Sequence, residues 1–140
     1  MADTNNNTIV GNVTRDPELR YSQGGMAIAN FGLAWNQNKR NGDDWESVPH
    51  FFDVTCFGQL AENVAESITK GMRLVCATRL DFSSWETDDG DKRSKVSLVA
   101  ENVGVSLQFA TVDGVTKTTK SNGGDQGPGP QPPAQEGEPF

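Results

Sequence analysis

The sequence predicts an all-β barrel of five strands with one helix, followed by a disordered C-terminal tail. Two observations support this prediction. Most apolar residues between positions 8 and 109 alternate with polar ones, which is the pattern of strands with one buried face. Only one stretch, 58–70, instead has its apolar residues at helical spacing.

The first half of the domain contains two predicted strands separated by turns. Residues 8–13 form a short strand. The sequence Asp-Pro-Glu at 16–18 predicts a turn or a short helical bend, because proline fixes φ and suits a first helical position. Two glycines at 24–25 predict a second turn, and the alternating run 26–35 is the second strand. The polar stretch 36–49 is either a long loop or the extended end of a hairpin.

The third strand, 50–57, leads directly into the only predicted helix. Phe52, Val54 and Cys56 share one face of the strand and are all apolar, so we expect this face to point to the core. The helix has its apolar residues on one side: Leu60, Ala61, Val64, Ala65 and Ile68. Gly71 lies where a glycine that ends a helix is expected.

Two further strands follow the helix. Residues 72–87 form a long strand, whose mostly apolar face holds Leu74, Cys76, Leu80 and Phe82. An acidic turn at 88–91 leads into a last strand at 92–100, with a final apolar piece at 103–109. Three strands, a helix and two more strands is the element order of a five-stranded Greek-key barrel of the oligonucleotide/oligosaccharide-binding (OB) type. Other small β barrels also fit this pattern.

The composition changes at about residue 112. From Asp113 onward the chain contains no Leu, Ile, Met, Trp or Tyr, and its only large apolar side chain near the end is Phe140. Such a segment cannot bury enough apolar surface to fold. We therefore expect a folded OB domain at 1–112 and a disordered tail, rich in Gly, Pro and Gln, at 113–140.

Charge and cysteine content narrow the class of protein. The net charge of −7 argues mildly against a nucleic-acid partner, although the clustering of charge matters more than its sum. Cys56 and Cys76 lie in apolar runs without metal-ligand spacing, so we expect reduced core cysteines and no metal or cofactor. No apolar run is long enough to span a bilayer, and no secretory segment is present. We expect a cytoplasmic protein with no membrane partner.

The second face of the strand at 50–57 carries an unusual pattern of aromatic residues. Asp53 and Thr55 indicate contact with water, yet Phe51 and Phe57 flank them. In the strand after the helix, Trp85 lies on a polar face in the same way. A planar side chain on a solvated face can stack on unpaired bases without reading their sequence. The alternative is that these aromatics pack against a second subunit or under the 36–49 stretch.

Other aromatic and basic residues give weaker signals. Trp35 shares a face with Phe31 and Leu33, which favours the core, and Trp45 is either a mobile contact or a packing anchor. Five residues are candidate phosphate contacts, although a solvated role is the default for each: Lys39, Arg40, Arg79, Lys92 and Arg93. Two arginines, Arg15 and Arg20, flank two acidic residues, Asp16 and Glu18. Local ion pairs are the simplest explanation for these four residues.

Three segments, in this order, resemble bacterial and bacteriophage single-stranded DNA-binding proteins: GNVTRDPELRYSQGGMAIANFGLA, FFDVTCFGQLAENVAESITKGMRL and SSWETDDGDKRSK. The resemblance covers about residues 8–110 and runs through short matches such as Asp-Pro-Glu, Ala-Asn-Phe and Phe-Gly-x-Leu-Ala-Glu. Each match alone is weak, but the ordered set is specific.

The resemblance implies an OB fold that assembles as a homotetramer through strand contacts. It implies a cytoplasmic, nucleoid-associated protein that binds single-stranded DNA (ssDNA) with little sequence preference in replication, recombination and repair. By local match, the stacking aromatics fall at Phe51, Phe57 and Trp85. A further aromatic of the family lies near Lys39 here, so the resemblance leaves its role to Trp35, to Trp45 or to no residue.

One stretch departs from the pattern of this family. Before Trp85 the family is often basic, whereas this sequence has Asp81 and two serines. Fewer positive charges predict binding that is weaker or less dependent on salt, or a smaller site.

The resemblance extends to the end of the tail. Family members end in an acidic tip that closes in Pro-Phe and docks replication and repair proteins, and this chain ends EGEPF. The resemblance therefore implies a protein-binding tip of four residues: Glu136, Glu138, Pro139 and Phe140. A terminal aromatic beside a carboxylate suits a hydrophobic pocket with a basic rim. The alternative is an ordinary polar terminus.

The sequence also bears on three alternative functions, those of an enzyme, of an accessory protein and of an RNA-binding protein. An enzyme is disfavoured because the only histidine, His50, has no evident catalytic partner and the carboxylates cluster in turns, so we expect no catalytic residues. An OB-fold accessory protein that mainly binds other replication proteins is the main alternative, and the negative charge favours it. In that case the outward aromatics would line a subunit contact. A preference for RNA is neither indicated nor opposed.

Overall fold

Five strands and one helix make up the part of the chain that the structure describes. The structure is a computed structural model, and it describes residues 3–118. In chain order the elements are β1 (Asn7–Tyr21), β2 (Ala27–Asn41), β3 (Asp44–Phe57), α1 (Gln59–Ser67), β4 (Arg73–Glu86) and β5 (Lys92–Val105). The strands close into a barrel in the order β1-β2-β3-β5-β4. The predicted five-stranded barrel, with its helix after the third strand, is confirmed.

The barrel closes because β1 pairs with two different strands. Its first part, residues 7–12, is antiparallel to β4, and residues 12–21 are antiparallel to β2. β3 and β5 complete the ring through a short parallel pairing of two residue pairs: Val54 with Leu98 and Thr55 with Val99. The remaining neighbours are antiparallel, so the chain follows a Greek-key path.

The core lies inside the barrel and under α1. Alternate residues of β2, β3 and β4 supply its largest fully buried side chains: Phe31, Leu33, Val54, Cys56, Leu74, Cys76 and Thr78. Ala61 and Val64 of α1 and the adjacent Ile68 pack onto the same cluster. Burying a large apolar side chain contributes about 1.5–3 kcal/mol, so this interior is the main source of stability. The predicted core face of the third strand is confirmed.

Cys56 and Cys76 are free thiols buried in this core. Burial raises the pKa of both thiols to about 11. They are therefore protonated at neutral pH and lack the thiolate that reacts with oxidants or binds metals. The expectation of two reduced core cysteines is confirmed.

The sequence at 16–18 is a bulge inside β1, and the predicted turn there is wrong. The β1–β2 ladder shifts register between Val13 and Arg15 and again between Arg15 and Glu18. Pro17 is tolerated in this position because a bulged residue does not need to donate a ladder hydrogen bond. β1 consequently runs on to Tyr21 instead of ending near residue 13.

The stretch 36–49 forms the end of a hairpin, the second of the two predicted alternatives. β2 and β3 remain paired out to Asn41 and Asp44. β5 runs unbroken along its whole length, whereas the sequence predicted a break after Ala100. An extra residue, Glu101, lies at a register shift in the β4–β5 ladder. It explains why the alternation of apolar and polar residues changes after Ala100 although the strand continues.

α1 is shorter than the sequence predicted. It ends at Ser67, because Ile68 already has an extended backbone with φ −99° and ψ 136°. Gly71 therefore does not end the helix. Its N–H instead donates a hydrogen bond of 2.8 Å to the carbonyl oxygen of Val13 in β1.

Two hairpins extend beyond the closed barrel. Residues 35–50 pair only within the β2–β3 hairpin and residues 81–97 only within the β4–β5 hairpin; we call them the first arm and the second arm. On β4, Thr78 is buried, but Leu80 and Phe82 on the same face are exposed. The mostly apolar face that the sequence shows on this strand therefore lies in the core only as far as Thr78, because the face leaves the barrel interior with the second arm.

Gly11→Ala is expected to destabilise the barrel. A Cβ at position 11 would collide with the backbone carbonyl oxygen of Ala34 where β1 crosses from β4 to β2. Overpacking of this kind costs about 1–3 kcal/mol. Each kcal/mol lowers the Tm of a domain of this size by roughly 4–8 °C. Thermal unfolding followed by circular dichroism measures the change.

Gly104→Ala is the matched control for this prediction, because Gly104 also lies in a strand. The nearest atom to a Cβ at position 104 would be the carbonyl oxygen of Val75 at 3.9 Å, an ordinary contact. Its Tm should stay within about 3 °C of the unsubstituted protein, since surface changes are usually worth less than about 0.5 kcal/mol. Equal losses in the two variants would show that close approach at Gly11 is not the constraint.

Candidate nucleic-acid interface

The register of the barrel decides which side chains of β3 point to solvent. Residues paired directly across two strands share a face, and Val54 and Leu98 both point into the core. Side chains alternate along a strand, so the odd-numbered residues around this pair point outward. On β3 these are Phe51, Asp53, Thr55 and Phe57. We call the outward surface of β3, of β5 and of β4 residues 79–86 the outer face.

Three large aromatic side chains lie on the outer face and are open to solvent. Phe51 is 69% exposed, Phe57 43% and Trp85 49%. Phe51 and Phe57 are six residues apart, which is about 20 Å along an extended strand. The stretch 36–49 forms most of the first arm and leaves Phe51 largely exposed. Aromatic surface is therefore available here to another molecule.

The second arm brings Trp85 and Arg93 together. The two residues are direct partners in the β4–β5 ladder, so their side chains share a face. They continue the outward register of the Asp81–Ser97 and Ser83–Lys95 pairs, which alternates with the inward Leu80–Leu98 pair. An aromatic ring beside a guanidinium can stack on a base while the cation neutralises a neighbouring phosphate. Two of the residues singled out in the sequence are therefore neighbours.

Asp53 lies between the two phenylalanines and binds two cations. Arg15 Nη2 donates a hydrogen bond of 3.3 Å to Asp53 Oδ1, and Lys95 Nζ donates to Oδ2. The hydrogen bond from Lys95 is the main cause that lowers the pKa of Asp53, and Arg15 adds to it. All three side chains are partly exposed. We call Arg15, Asp53 and Lys95 the ion-pair triad.

Arg15 reaches Asp53 across β2, and the expected local ion pair with Asp16 or Glu18 is wrong. Arg15 is the ladder partner of Gly32. A Cβ at Gly32 would lie only 2.6 Å from Arg15 Nη1, so a glycine leaves the room that the guanidinium occupies. The bulge in β1 and the glycine in β2 together direct Arg15 onto the outer face.

Sequence reasoning missed both cations of the triad. Lys95 had a usable signal, since it alternates with Arg93 along the last strand and so shares its face. Arg15 had no such signal, because its position depends on a bulge and on the space at Gly32.

The candidate cations of the first arm lie beside neighbours on the same hairpin. Arg40 lies over the ring of Trp45, with 5.8 Å between the guanidinium carbon and the ring centre, and its Nε donates to Gly42 O at 3.0 Å. Lys39 is the direct partner of Glu46. Trp45 therefore contacts Arg40 on its own hairpin, while its side chain stays 67% exposed.

The remaining candidate cations lie on the second arm and at its base. Arg79 Nη1 forms a salt bridge of 3.2 Å with Glu101 Oε2, and Lys92 is the direct partner of Glu86. Three of the five predicted basic residues fall on the outward register: Arg40, Arg79 and Arg93. Two fall on the opposite register: Lys39 and Lys92.

Trp35 lies at the mouth of the barrel, away from the outer face. It belongs to the inward register of β2, and its ring stacks on His50 with 5.4 Å between centroids. It lines an open cavity together with Phe52 and Leu80. His50 Nε2 is also within 2.9 Å of Gln37 Oε1, so the only histidine is engaged in packing and hydrogen bonding. The structure does not bring Trp35 together with Phe51.

Other site types find little support in the described part of the chain. Within residues 3–118, no group of three or more His, Cys, Asp and Glu side chains could hold a metal ion. No helix of that range is long and apolar enough to cross a membrane. The predicted docking tip lies outside the described residues: Glu136, Glu138, Pro139 and Phe140.

Comparison with known proteins gives consistent matches over most of the chain. The profile of the Single-strand binding protein family matches residues 4–106. A protein of Corynebacterium glutamicum named single-stranded DNA-binding protein is 44% identical over 118 residues, which are 81% of this chain and 51% of the relative. The chain thus spans about half the length of that relative. A Mycobacterium tuberculosis protein of the same name is 38% identical over 135 residues, 94% of this chain and 82% of the relative.

The fold is also similar to a solved structure. The crystal structure of the small single-stranded DNA-binding protein from Streptomyces coelicolor matches with a TM-score of 0.65 and 27% sequence identity. The match covers 76% of this chain and 97% of that chain. Together with the strand order, it confirms the predicted OB-fold barrel.

The ion pairs of Asp53 are expected to stabilise the fold at neutral pH and to stop doing so in acid. Because the pKa of Asp53 is lower in the folded protein than its usual value of 3.8, the stabilisation is present above that value. It is lost as the pH falls through the lowered pKa. Urea unfolding of the unsubstituted protein and of Asp53→Asn at pH 7 and pH 3 measures it: the difference in unfolding free energy should shrink at pH 3.

Asp44→Asn is the control for this pH series, because Asp44 forms no ion pair within residues 3–118. Its unfolding free energy should stay closer to that of the unsubstituted protein at both pH values. A difference for Asp53→Asn that stays constant from pH 7 to pH 3 would contradict a lowered pKa.

Proposed function

The chain belongs to the single-strand binding protein family, and on that premise we propose that it binds single-stranded DNA by stacking bases on the outer face. The observation that carries this proposal is the exposure of Phe51, Phe57 and Trp85 on a solvated sheet face. A folded chain has no need of large aromatics there for its own core. Every base has a planar face, and each stack on an aromatic side chain is worth about 1–3 kcal/mol.

Binding by stacking explains why we expect little preference for particular base sequences. Sequence is read by hydrogen bonds to base edges, and these need polar side chains held in fixed positions. On β3 the polar residues between the phenylalanines are already engaged, Asp53 with two cations and Thr55 with Asn30 Nδ2 at 2.7 Å. The outer face therefore suits any run of unpaired bases.

The charges of the site favour a modest electrostatic contribution to the affinity for single-stranded DNA. Arg93 beside Trp85 is the most direct candidate for a phosphate contact, since it shares the ring's face and forms no ion pair within residues 3–118. Arg79 is bound to Glu101, and Arg15 and Lys95 are bound to Asp53. Few free cations mean few released counterions, so the salt dependence should be shallow.

We also propose that the chain assembles as a homotetramer through strand contacts. The β1–β4 side of the barrel presents an outward, mostly apolar strip in which Val10 pairs with Val75 and Thr8 with Ala77. A sheet face of this kind suits a second copy of the chain. It belongs to other strands than Phe51 and Phe57, so assembly there leaves the phenylalanines free to bind.

For the tail we propose the role that its sequence suggests, recruitment of replication and repair proteins. The support is the terminal sequence alone: Glu136, Glu138, Pro139 and Phe140. A terminal aromatic with nearby carboxylates suits a partner pocket that is apolar with a basic rim. Protection of single strands by the barrel and recruitment through the tip would then be separable.

Alanine substitutions on the outer face test the DNA-binding proposal. Phe51→Ala and Trp85→Ala should each weaken binding to oligo-dT by about 1–3 kcal/mol, roughly 5- to 150-fold in Kd, because each removes a stack. Fluorescence anisotropy of a labelled oligo-dT, with duplex DNA and oligo-rU as competitors, measures this.

Phe82→Ala is the matched control, because Phe82 is 66% exposed but lies on the opposite register of the second arm. It should leave the Kd for oligo-dT unchanged, as should deletion of residues 136–140. If Phe51→Ala and Trp85→Ala break the oligomer and spare DNA binding, the chain is instead an accessory protein whose aromatics line a subunit contact.

A further inference from the structure

The middle of the outer face carries a negative charge where a bound strand would pass. Asp53 alternates with Phe51, Thr55 and Phe57 on the same side of β3. Bases stacked on the two phenylalanines would leave the intervening backbone running over Asp53. The position is therefore one where a cation would help binding and a carboxylate opposes it.

The two cations nearest this point are held by that carboxylate. Arg15 arrives from β1 over Gly32, and Lys95 arrives from β5, and both donate to Asp53. Neither cation is buried, and Asp53 is partly exposed. Ion pairs at such exposed positions are weak and screened by salt, so a phosphate can compete for either cation.

We infer that Asp53 acts as an electrostatic brake on this surface: it competes with the DNA backbone for Arg15 and Lys95 and so limits the affinity and the salt dependence of binding. The inference rests on the proposed function and names a residue that regulates it. Each phosphate contact made here exchanges one ion pair for another, so it contributes less than a contact to a free cation. Stacking then supplies a larger share of the affinity.

A substitution that removes only the charge of Asp53 tests the inference. Asp53→Asn frees two cations for phosphates, and each new contact on a single strand steepens the slope of log K against log salt by about 0.7. Two contacts steepen it by about 1.4, so the gain in affinity over the unsubstituted protein should be about sevenfold larger at 50 mM than at 200 mM salt. Anisotropy titrations with oligo-dT at four salt concentrations measure the slope.

Asp81→Asn is the matched control. Asp81 lies on the outward register of β4, opposite Ser97, and forms no salt bridge within residues 3–118. The substitution removes one negative charge from the same face but frees no cation. It should leave the slope unchanged, even if the affinity rises slightly.

Two double variants identify the cations for which Asp53 competes with the DNA backbone. In the Asp53→Asn background, Arg15→Gln and Lys95→Gln should each return about half of the added slope, because each removes one of the freed cations. Asp53→Thr, which suits a strand, repeats the measurement if the asparagine variant does not fold; circular dichroism verifies the fold of every variant.

The outcomes separate this inference from the proposed function. If the unsubstituted protein does not bind oligo-dT, the proposed function fails. If it binds and Asp53→Asn has the same slope, or a slope changed no more than that of Asp81→Asn, the brake is overturned while the proposed function stands. A steeper slope that neither double variant reduces would also overturn the assignment to Arg15 and Lys95.

Discussion

The short parallel pairing between β3 and β5 is the constraint on which the rest of the structure depends. It consists of two residue pairs, Val54 with Leu98 and Thr55 with Val99, and it completes the closed barrel. It also fixes which side of each strand meets water. Because side chains alternate along a strand, a shift of one residue on β3 would turn Phe51 and Phe57 into the core and expose Val54. Stability and the candidate function therefore follow from the same register.

The outer face combines features that a barrel does not need for its own stability. The core is complete without Phe51, Phe57 or Trp85, and the ion-pair triad lies outside it. What the barrel supplies is position: Gly11 lets β1 cross between its two partners, and the same strand then carries Arg15 over β2 to Asp53. Aromatic surface and restrained charge on one rigid sheet suit binding that tolerates many sequences and exchanges readily.

The sequence was sufficient for the fold class, for the core of the third strand and for the outward direction of Phe51 and Phe57, because each depends on simple alternation. The resemblance to the single-strand binding protein family is likewise confirmed by the profile match over residues 4–106. The errors lie where pairing overrides local pattern. The sequence around Pro17 predicted a turn, but Pro17 occupies a bulge in β1. Phe82 lies on the same face of β4 as core residues, but it belongs to the second arm and is exposed to solvent. The ion-pair triad could not be predicted, since it joins three strands through a bulge and the space above Gly32.

The central claim is that an aromatic of the outer face contacts the bases directly, and tryptophan fluorescence tests it most directly. In a variant carrying Trp35→Phe and Trp45→Phe, Trp85 is the only tryptophan left. Stacking against a base should quench its emission strongly on titration with oligo-dT, in step with binding measured on the labelled strand. Binding of oligo-dT without any change in the emission of Trp85 would contradict the claim, because the strand would then pass elsewhere on the barrel.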